Sequence, residues 1–165
     1  MALDSTVGGS TADSYADDTF IDAYMANHPY QTGWTDAATH EAELKYAVII
    51  LDNWVEWGGV KDDITALTQA LEFPRDLSWD VDDLYSTVIP IQIKRAQVEL
   101  ALHLVQNTEI YDPQALKDID LGKLEMTFNT TVFVLPSVVT ALISKFGVLK
   151  PGLGSGMGNA TLVRV

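Results

Sequence analysis

The stretch Gln69-Ala70-Leu71-Glu72-Phe73-Pro74-Arg75, followed after an acidic segment by Ile89-Pro90-Ile91-Gln92-Ile93-Lys94-Arg95-Ala96, decides how the chain is organised. Pro74 fixes φ and lacks an N–H, so it ends one local structure; Pro90 suits the first position of a helix, where the missing donor is not needed. The region from Leu51 to Ala101 therefore reads as two helices joined by an ordered, proline-punctuated crossover. Within it Gln69, Leu71, Phe73, Pro74, Arg75 and Pro90 take structural roles. Proline sets the turn, phenylalanine packs, and Arg75 pairs with a nearby carboxylate, Asp76 or Glu72.

Upstream of the crossover, Leu44, Ala47, Val48, Leu51 and Val55 recur at helical spacing, and Ile49, Ile50 and Trp54 widen that face. This predicts a central helix over 36–55, capped by Thr35 and ended by Gly58-Gly59. Downstream, Ile91, Val98, Ala101, Leu102 and Val105, widened by Ile93, Leu100 and Leu104, predict a helix over 90–106 that packs on the first. The connection over 61–87 reads mostly as loop, with one helical turn near 65–70 and Phe73, Leu77 and Trp79 as apolar anchors. After Tyr111-Asp112-Pro113 the period changes to two. Leu124, Met126 and Phe128 alternate with polar residues, and the run Thr131 to Val134 follows Asn129-Thr130, so a β-hairpin is predicted over 123–134. A short helix over 136–146 presents Val139, Leu142, Ile143 and Phe146.

At the N-terminal end, Asp13 or Ser14 caps a predicted helix over 14–27 whose Phe20, Ala23 and Tyr24 share a face, with His28-Pro29 as its stop. Residues 1–12 read as a loose arm and 151–165 as a glycine-hinged C-terminal arm turning strand-like at Thr161. The expected class is mostly α: a small helical bundle, a single domain over 13–150, with a β-hairpin and an extended C-terminal arm.

At 165 residues and 47% hydrophobic composition the chain can bury a real core as one domain. It has no cysteine, which excludes disulfides and zinc-thiolate sites. Met1-Ala2-Leu3-Asp4 lacks the pattern of a secretory leader and no apolar run reaches the ~18 residues of a membrane span, so a soluble, unexported protein is expected. Ten basic residues stand against 23 acidic ones, giving a net charge of -13 and a pI near 4.3. Residues 1–120 carry 6 basic and 22 acidic side chains, net -16, and residues 121–165 carry 4 and 1, net +3. Affinity for nucleic acid comes largely from cations that displace phosphate counterions, so free DNA binding is disfavoured.

Groupings that could carry chemistry are weak. His28, His40 and His103 fall on different elements without a metal-pair spacing. Asp80, Asp82 and Asp83 lack the glycine and terminal glutamate of a helix-loop-helix calcium loop and read as a solvated acidic loop. The run Gly152 to Gly158 has no helix after it to hold a phosphate, and Ser155 lies outside any nucleophile elbow. Asn129 and Asn159 fit a glycosylation pattern that matters only on secretion. Trp54, Trp57 and Trp79 flank the crossover as core or interface anchors, with no basic residues interleaved to make a base-stacking platform. Neither an enzyme nor a cofactor is expected.

Leu51-Asp52, Gly58-Gly59, the Gln-Ala-Leu-x-Phe-Pro-Arg run and the Ile-Pro helix start together resemble the head-to-tail adaptor (connector) proteins of tailed bacteriophages, some of which carry the label DnaT-like single-stranded-DNA-binding protein. The resemblance covers roughly 12–150, and Phe73 stands where such adaptors often have tryptophan. It implies a virion protein at the head-tail interface, assembled in the host cytoplasm, that forms a ring, commonly a dodecamer, below the portal and extends the DNA channel. The implied partners are other copies of itself, the portal protein, a tail-side connector, stopper or tail protein, and duplex DNA passing without specific binding, with no membrane. Transferred to this chain, the C-terminal segment from Gly147 reaches onto the portal, through Lys150, Leu153, Leu162, Val163, Arg164 and Val165. An acidic channel wall suits passing DNA independently of the resemblance, because it repels phosphate. The alternative of another class is a single-stranded-DNA-binding protein, which needs a basic groove lined by stacking aromatics.

Overall fold

A computed structural model describes residues 2–61, 68–77, 79, 84–106, 111–112, 118–120, 125–127, 132–133 and 135–150. Its centre is a pair of packed helices, α2 (Glu41–Trp54) and α3 (Ile91–Gln106). Leu44, Ala47, Val48, Ile50 and Leu51 of α2 meet Ile93, Ala96, Val98, Leu100, Ala101 and Leu102 of α3 in one buried cluster, as the helical periodicity predicts. Three apolar residues assigned to that core lie outside it: Ile49 is 55% exposed, Ile91 46%, and Val105 is half-buried beyond the cluster. In the run Val48-Ile49-Ile50 a helix turns the middle residue away from its neighbours' face.

Helix α2 starts at Glu41, five residues later than position 36 of the sequence reading. Asp36 accepts a hydrogen bond from the Thr39 N–H at 2.7 Å, and this local turn replaces the first helical turn that Thr35 was expected to cap. The helix ends at Trp54 because the next residues form a strand, β1 (Val55–Trp57), which sequence reasoning assigned to the helix and its glycine stop. The partner of β1 is the strand after the fourth helix.

That helix, α4 (Ser137–Ile143), packs on α3 and buries Val139 and Ile143; Phe146 in the following turn is buried too. The residues Gly147–Leu149 then run antiparallel to β1, with Val55 opposite Leu149 and Trp57 opposite Gly147. The Gly58 N–H extends the ladder to the Phe146 carbonyl at 2.8 Å. Glycine at 147 is required by the close approach: a Cβ there would lie 2.7 Å from the Glu56 carbonyl oxygen. Gly59, at φ +72°, lets the chain turn beside a second pairing between Val60 and Asp76; a Cβ would lie 2.0 Å from the Asp76 oxygen. The two glycines therefore end a strand, not a helix, and the first residues of the expected C-terminal arm belong to the body.

The described residues between α3 and α4 form four short strands, β2 (Tyr111–Asp112), β3 (Asp118–Asp120), β4 (Glu125–Thr127) and β5 (Val132–Phe133), so Gly147–Leu149 is β6. β3 pairs antiparallel with β4 and β2 with β5. The hairpin expected over 123–134 is not what the described residues form: 125–127 pair with 118–120, and 132–133 pair with 111–112.

At the N-terminal end, α1 (Asp18–Met25) is capped by Asp17, which accepts the Phe20 N–H at 2.8 Å. It is shorter than 14–27 because Ser14, buried, is committed to other contacts. Its core face is Ile21 and Met25. Residues 2–12 are not a loose arm: the Asp4 carbonyl accepts the Asp13 and Ser14 N–H groups, Asp13 Oδ1 accepts the Asp4 N–H at 2.8 Å, and Gly9 O accepts the Ala70 N–H at 3.1 Å. The chain is mostly helical with small antiparallel pairings, and no helix among the described residues is long and apolar enough to cross a membrane. The arm over 151–165 and the helical turn expected within 65–70 lie wholly or mainly outside the described residues.

Candidate functional site

The crossover run closes on itself. Gln69 Nε2 donates to the carbonyls of Leu71 (2.8 Å) and Pro74 (3.1 Å), across a Phe73–Pro74 peptide in the cis form. Arg75 donates from Nε to Gly58 O at 2.8 Å and from Nη2 to Gly59 O at 2.9 Å, and its Nη1 lies 2.6 Å from Glu72 Oε2. Of the two carboxylates considered for Arg75, Glu72 is the partner. Phe73 is buried edge-on to Trp57, Tyr15 and Phe146, with ring centres 5.0, 6.2 and 6.1 Å away. Leu71 and Pro74 are buried beside it, and the buried Pro90 accepts the Ile93 N–H at 3.0 Å as α3 begins. These residues tie the loop to the turn after β1; their donors and acceptors face inward.

Two polar residues that sequence reasoning left without a role, Gln97 fully buried and Asp52 half-buried, complete the frame. Gln97 Oε1 accepts the Tyr15 and Ala16 N–H groups (3.0 and 3.1 Å), while its Nε2 donates to Ser14 Oγ (2.8 Å) and Leu44 O (3.2 Å). One side chain thus joins α3, α2 and the segment before α1. Asp52 accepts hydrogen bonds from the Tyr15 hydroxyl and the Glu72 N–H. Burial raises the Asp52 carboxyl to about 6 despite the hydrogen bond from Tyr15; burial, then the Asp52 charge, pushes the Tyr15 phenol well above its ordinary range. Both were visible as polar residues within an apolar helical face: Gln97 among Ile93, Ala96, Leu100 and Ala101, and Asp52 in line with Val48 and Val55.

The outward-facing candidate is a groove of about 490 Å³ between α1 and α3. Phe20, Ala23 and Tyr24 follow one another at helical spacing along α1, Asn27, His28 and Pro29 continue the wall beyond its end, and Arg95 of α3 closes it. This is the shared face of Phe20, Ala23 and Tyr24 that the sequence shows; it is half-exposed because Ile21 and Met25 occupy the core. The Phe20 and Tyr24 rings lie nearly parallel with centres 6.3 Å apart, followed by Tyr24–His28 at 5.9 Å and His28–Tyr30 at 6.1 Å. Lys94 lies 5.7 Å from the Phe20 ring centre and Arg95 5.9 Å from that of Tyr24, within cation–π range. At the base, Tyr24 donates its hydroxyl hydrogen to Glu99, and His28 Nε2 is 3.2 Å from the same oxygen; burial and that carboxylate raise Tyr24 to about 12.

A second outward feature is the outer stripe of α2. Ala42, Tyr46, Ile49 and Asn53 are exposed in succession, Tyr46 at 48%. Asp13, Glu41 and Glu43 lie beside the stripe together with Lys45, which binds Asp13 at 2.7 Å and Glu41 at 2.6 Å.

Each cation of the described side chains has an internal partner. Lys61 is 3.1 Å from Glu72, Lys145 stands 4.2 Å from the Trp79 ring centre, and Lys150 Nζ donates to Asn53 O at 2.6 Å. With Lys45, Arg75, Lys94 and Arg95 these make seven of the ten; Lys117, Lys123 and Arg164 are the other three. Lys150, assigned to portal binding, therefore closes the C-terminal carbonyls of α2, with its own N–H on Trp54 O at 2.9 Å. Leu153, Leu162, Val163, Arg164 and Val165 lie outside the described residues, as do Asp80, Asp82, Asp83 and the glycine run. Trp57 is core, and Trp79 is 40% exposed beside Tyr85 and Phe146. His40 lies against Trp34, and burial lowers the His103 imidazole. Among the described residues no three histidine or acidic side chains gather as a metal site.

The family model described as "Putative DnaT-like ssDNA binding protein" matches residues 1–165, the full sequence. No curated protein and no solved structure matches the chain.

Proposed function

This chain belongs to the family of DnaT-like ssDNA binding proteins, and we propose that within it the chain works as a structural subunit: a head-to-tail adaptor whose copies form a ring between portal and tail. The observation that carries the reading is the allocation of charge. Seven cations are engaged inside the described structure while the chain as a whole is net -13, so its field repels phosphate. Such a wall lets duplex DNA pass through a channel without holding it. The internally closed Gln69 to Arg75 run supplies a rigid body for a ring rather than a reactive site.

In this reading the protein serves head completion and DNA ejection at the head-tail interface of the virion, with the portal above, a tail-side connector, stopper or tail protein below, and about a dozen copies side by side. The C-terminal residues Leu153, Leu162, Val163, Arg164 and Val165, which follow the strand that ends at Leu149, are its portal-binding part. Neither catalysis nor a cofactor enters this role.

A second reading, single-stranded-DNA binding, is favoured by the aromatic row Phe20–Tyr24–His28–Tyr30 with Lys94 and Arg95 beside it. Two measurements separate the readings. An electrophoretic shift of labelled oligodeoxythymidine at low salt tests the second, and mass photometry of the purified chain, alone and with portal rings, tests the first. The adaptor reading expects no shift and a closed multimer; a low-salt complex of monomeric protein with the oligonucleotide would overturn it.

A further inference from the structure

The rim of the groove carries two cations, with Glu99 held at its base by Tyr24 and His28, while the outer stripe of α2 is flanked mainly by acids. The groove is concave, aromatic and bordered by Lys94 and Arg95; the stripe is convex, carries Tyr46 and Ile49, and is flanked by three carboxylates against one lysine. Apposing two grooves would bring the Arg95 side chains of both copies together, and apposing two stripes would bring acid to acid. Charge complementarity therefore favours the stripe of one copy in the groove of the next, a head-to-tail contact of the kind that closes rings.

We propose that the groove of Phe20, Tyr24 and Arg95 receives Tyr46 and Ile49 of a second copy of this chain, so that α2 of each subunit seats against α1 and α3 of its neighbour. The inference rests on the ring reading and adds the surface by which the ring closes. It accounts for two facts the fold leaves open. Ile49 is the more exposed of the large apolar residues on α2, and α1 presents a second apolar face although Ile21 and Met25 already supply its core contact. Arg95 over Tyr24 extends the groove wall and leaves its guanidinium edge for Glu43 of the incoming helix.

The chain contains no cysteine, which makes the test direct. Ile49→Cys and Ala23→Cys are both at exposed positions, so neither disturbs the core. Under mild oxidation in a sample whose mass shows the multimer, a mixture of the two single variants is expected to give a cross-linked dimer that neither gives alone, and the double variant a ladder. Arg95→Glu is expected to abolish assembly, with restoration by Glu43→Arg. A multimer without the mixed cross-link, or with cross-linking of Ile49→Cys to itself, overturns this inference and leaves the ring reading standing. A chain that stays monomeric at every concentration and with portal rings overturns both. Binding of oligodeoxythymidine that is lost in Arg95→Glu assigns the groove to nucleic acid and also overturns the proposal.

Discussion

Replacing Gln97 by alanine tests the claim that one buried side chain fastens the N-terminal segment to the two central helices. The substitution leaves the Tyr15 N–H without a partner, because no other acceptor reaches it among the described contacts, at a cost of about 1–3 kcal/mol. The Ala16 N–H keeps Ser14 Oγ at 3.3 Å, so only one donor is fully stranded. Removal of the amide and its methylenes at a fully buried position opens a cavity worth ~2–3 kcal/mol, near the low end of large-to-small substitutions. The expected loss is therefore ~3–6 kcal/mol, or a melting temperature lower by roughly 10–20 °C for a domain of this size. Urea unfolding followed by the fluorescence of the four tryptophans measures it, and hydrogen exchange at Tyr15 locates it. Gln97→Glu is the control. An ionised carboxylate satisfies both N–H groups but faces the Leu44 carbonyl with an acceptor, so this variant is weak at pH 7 and recovers on acidification, when its O–H can donate to Leu44 O. An alanine variant that loses under about 1 kcal/mol, or a glutamate variant indifferent to pH, would refute the reasoning.

Asp52 gives a pH dependence of its own. Its folded value near 6 lies above the model-compound value of 3.8, so the folded chain holds this proton more tightly than the unfolded chain does. Its contribution is present in full below pH 4 and lost as the pH rises through 6; wild type is expected to gain up to about 3 kcal/mol on going from pH 7 to 4 relative to Asp52→Asn, and equal pH profiles would contradict this. Arg75→Lys cannot reach Gly58 O, Gly59 O and Glu72 together and is expected to cost ~2–4 kcal/mol in urea unfolding; a loss below about 0.5 kcal/mol would show that those contacts are dispensable. Deleting residues 152–165 leaves β6 and the Lys150 contacts in place, so the melting temperature should stay nearly unchanged while portal binding, measured by co-sedimentation, is lost; full-affinity docking of the truncated chain would dismiss the arm.

The long helices were legible because their burial repeats every three or four residues through a dozen positions or more, which local sequence records. β1 was not, since Val55-Glu56-Trp57 offers three residues of alternation directly after a helix, and its partner lies some ninety positions away. Glycines 58 and 59 were correctly read as a stop, but the element they stop depends on Gly147 and Asp76, which pairing alone brings near. The same limit applies to the groove. Phe20, Ala23 and Tyr24 do share a face of α1, yet whether Ile21 and Met25 or that face enters the core is decided by tertiary packing. Gln97 and Asp52 carried a readable signal, a polar group inside an apolar stripe, but their partners in the segment before α1 are 82 and 37 residues distant in sequence.

Charge allocation also fixes how assembly should respond to salt, and the sign follows from range. Neighbouring copies, each at -13, repel through their whole facing surfaces, at separations well beyond the ~8 Å Debye length of 0.15 M salt. The attraction between Lys94 or Arg95 and the carboxylates beside Tyr46 acts only at contact, within that length, and the burial of Ile49 and Phe20 is scarcely screened at all. Raising salt from low to moderate therefore removes more repulsion than attraction, and the multimer fraction seen by mass photometry should increase over that interval. At molar salt the contact pairs are screened as well, with a Debye length of ~3 Å, and apolar burial is left to hold the ring. A multimer fraction that fell steadily from low to moderate salt would mean that attraction dominates at every distance, and the acidic surface would then need a partner other than a copy of itself.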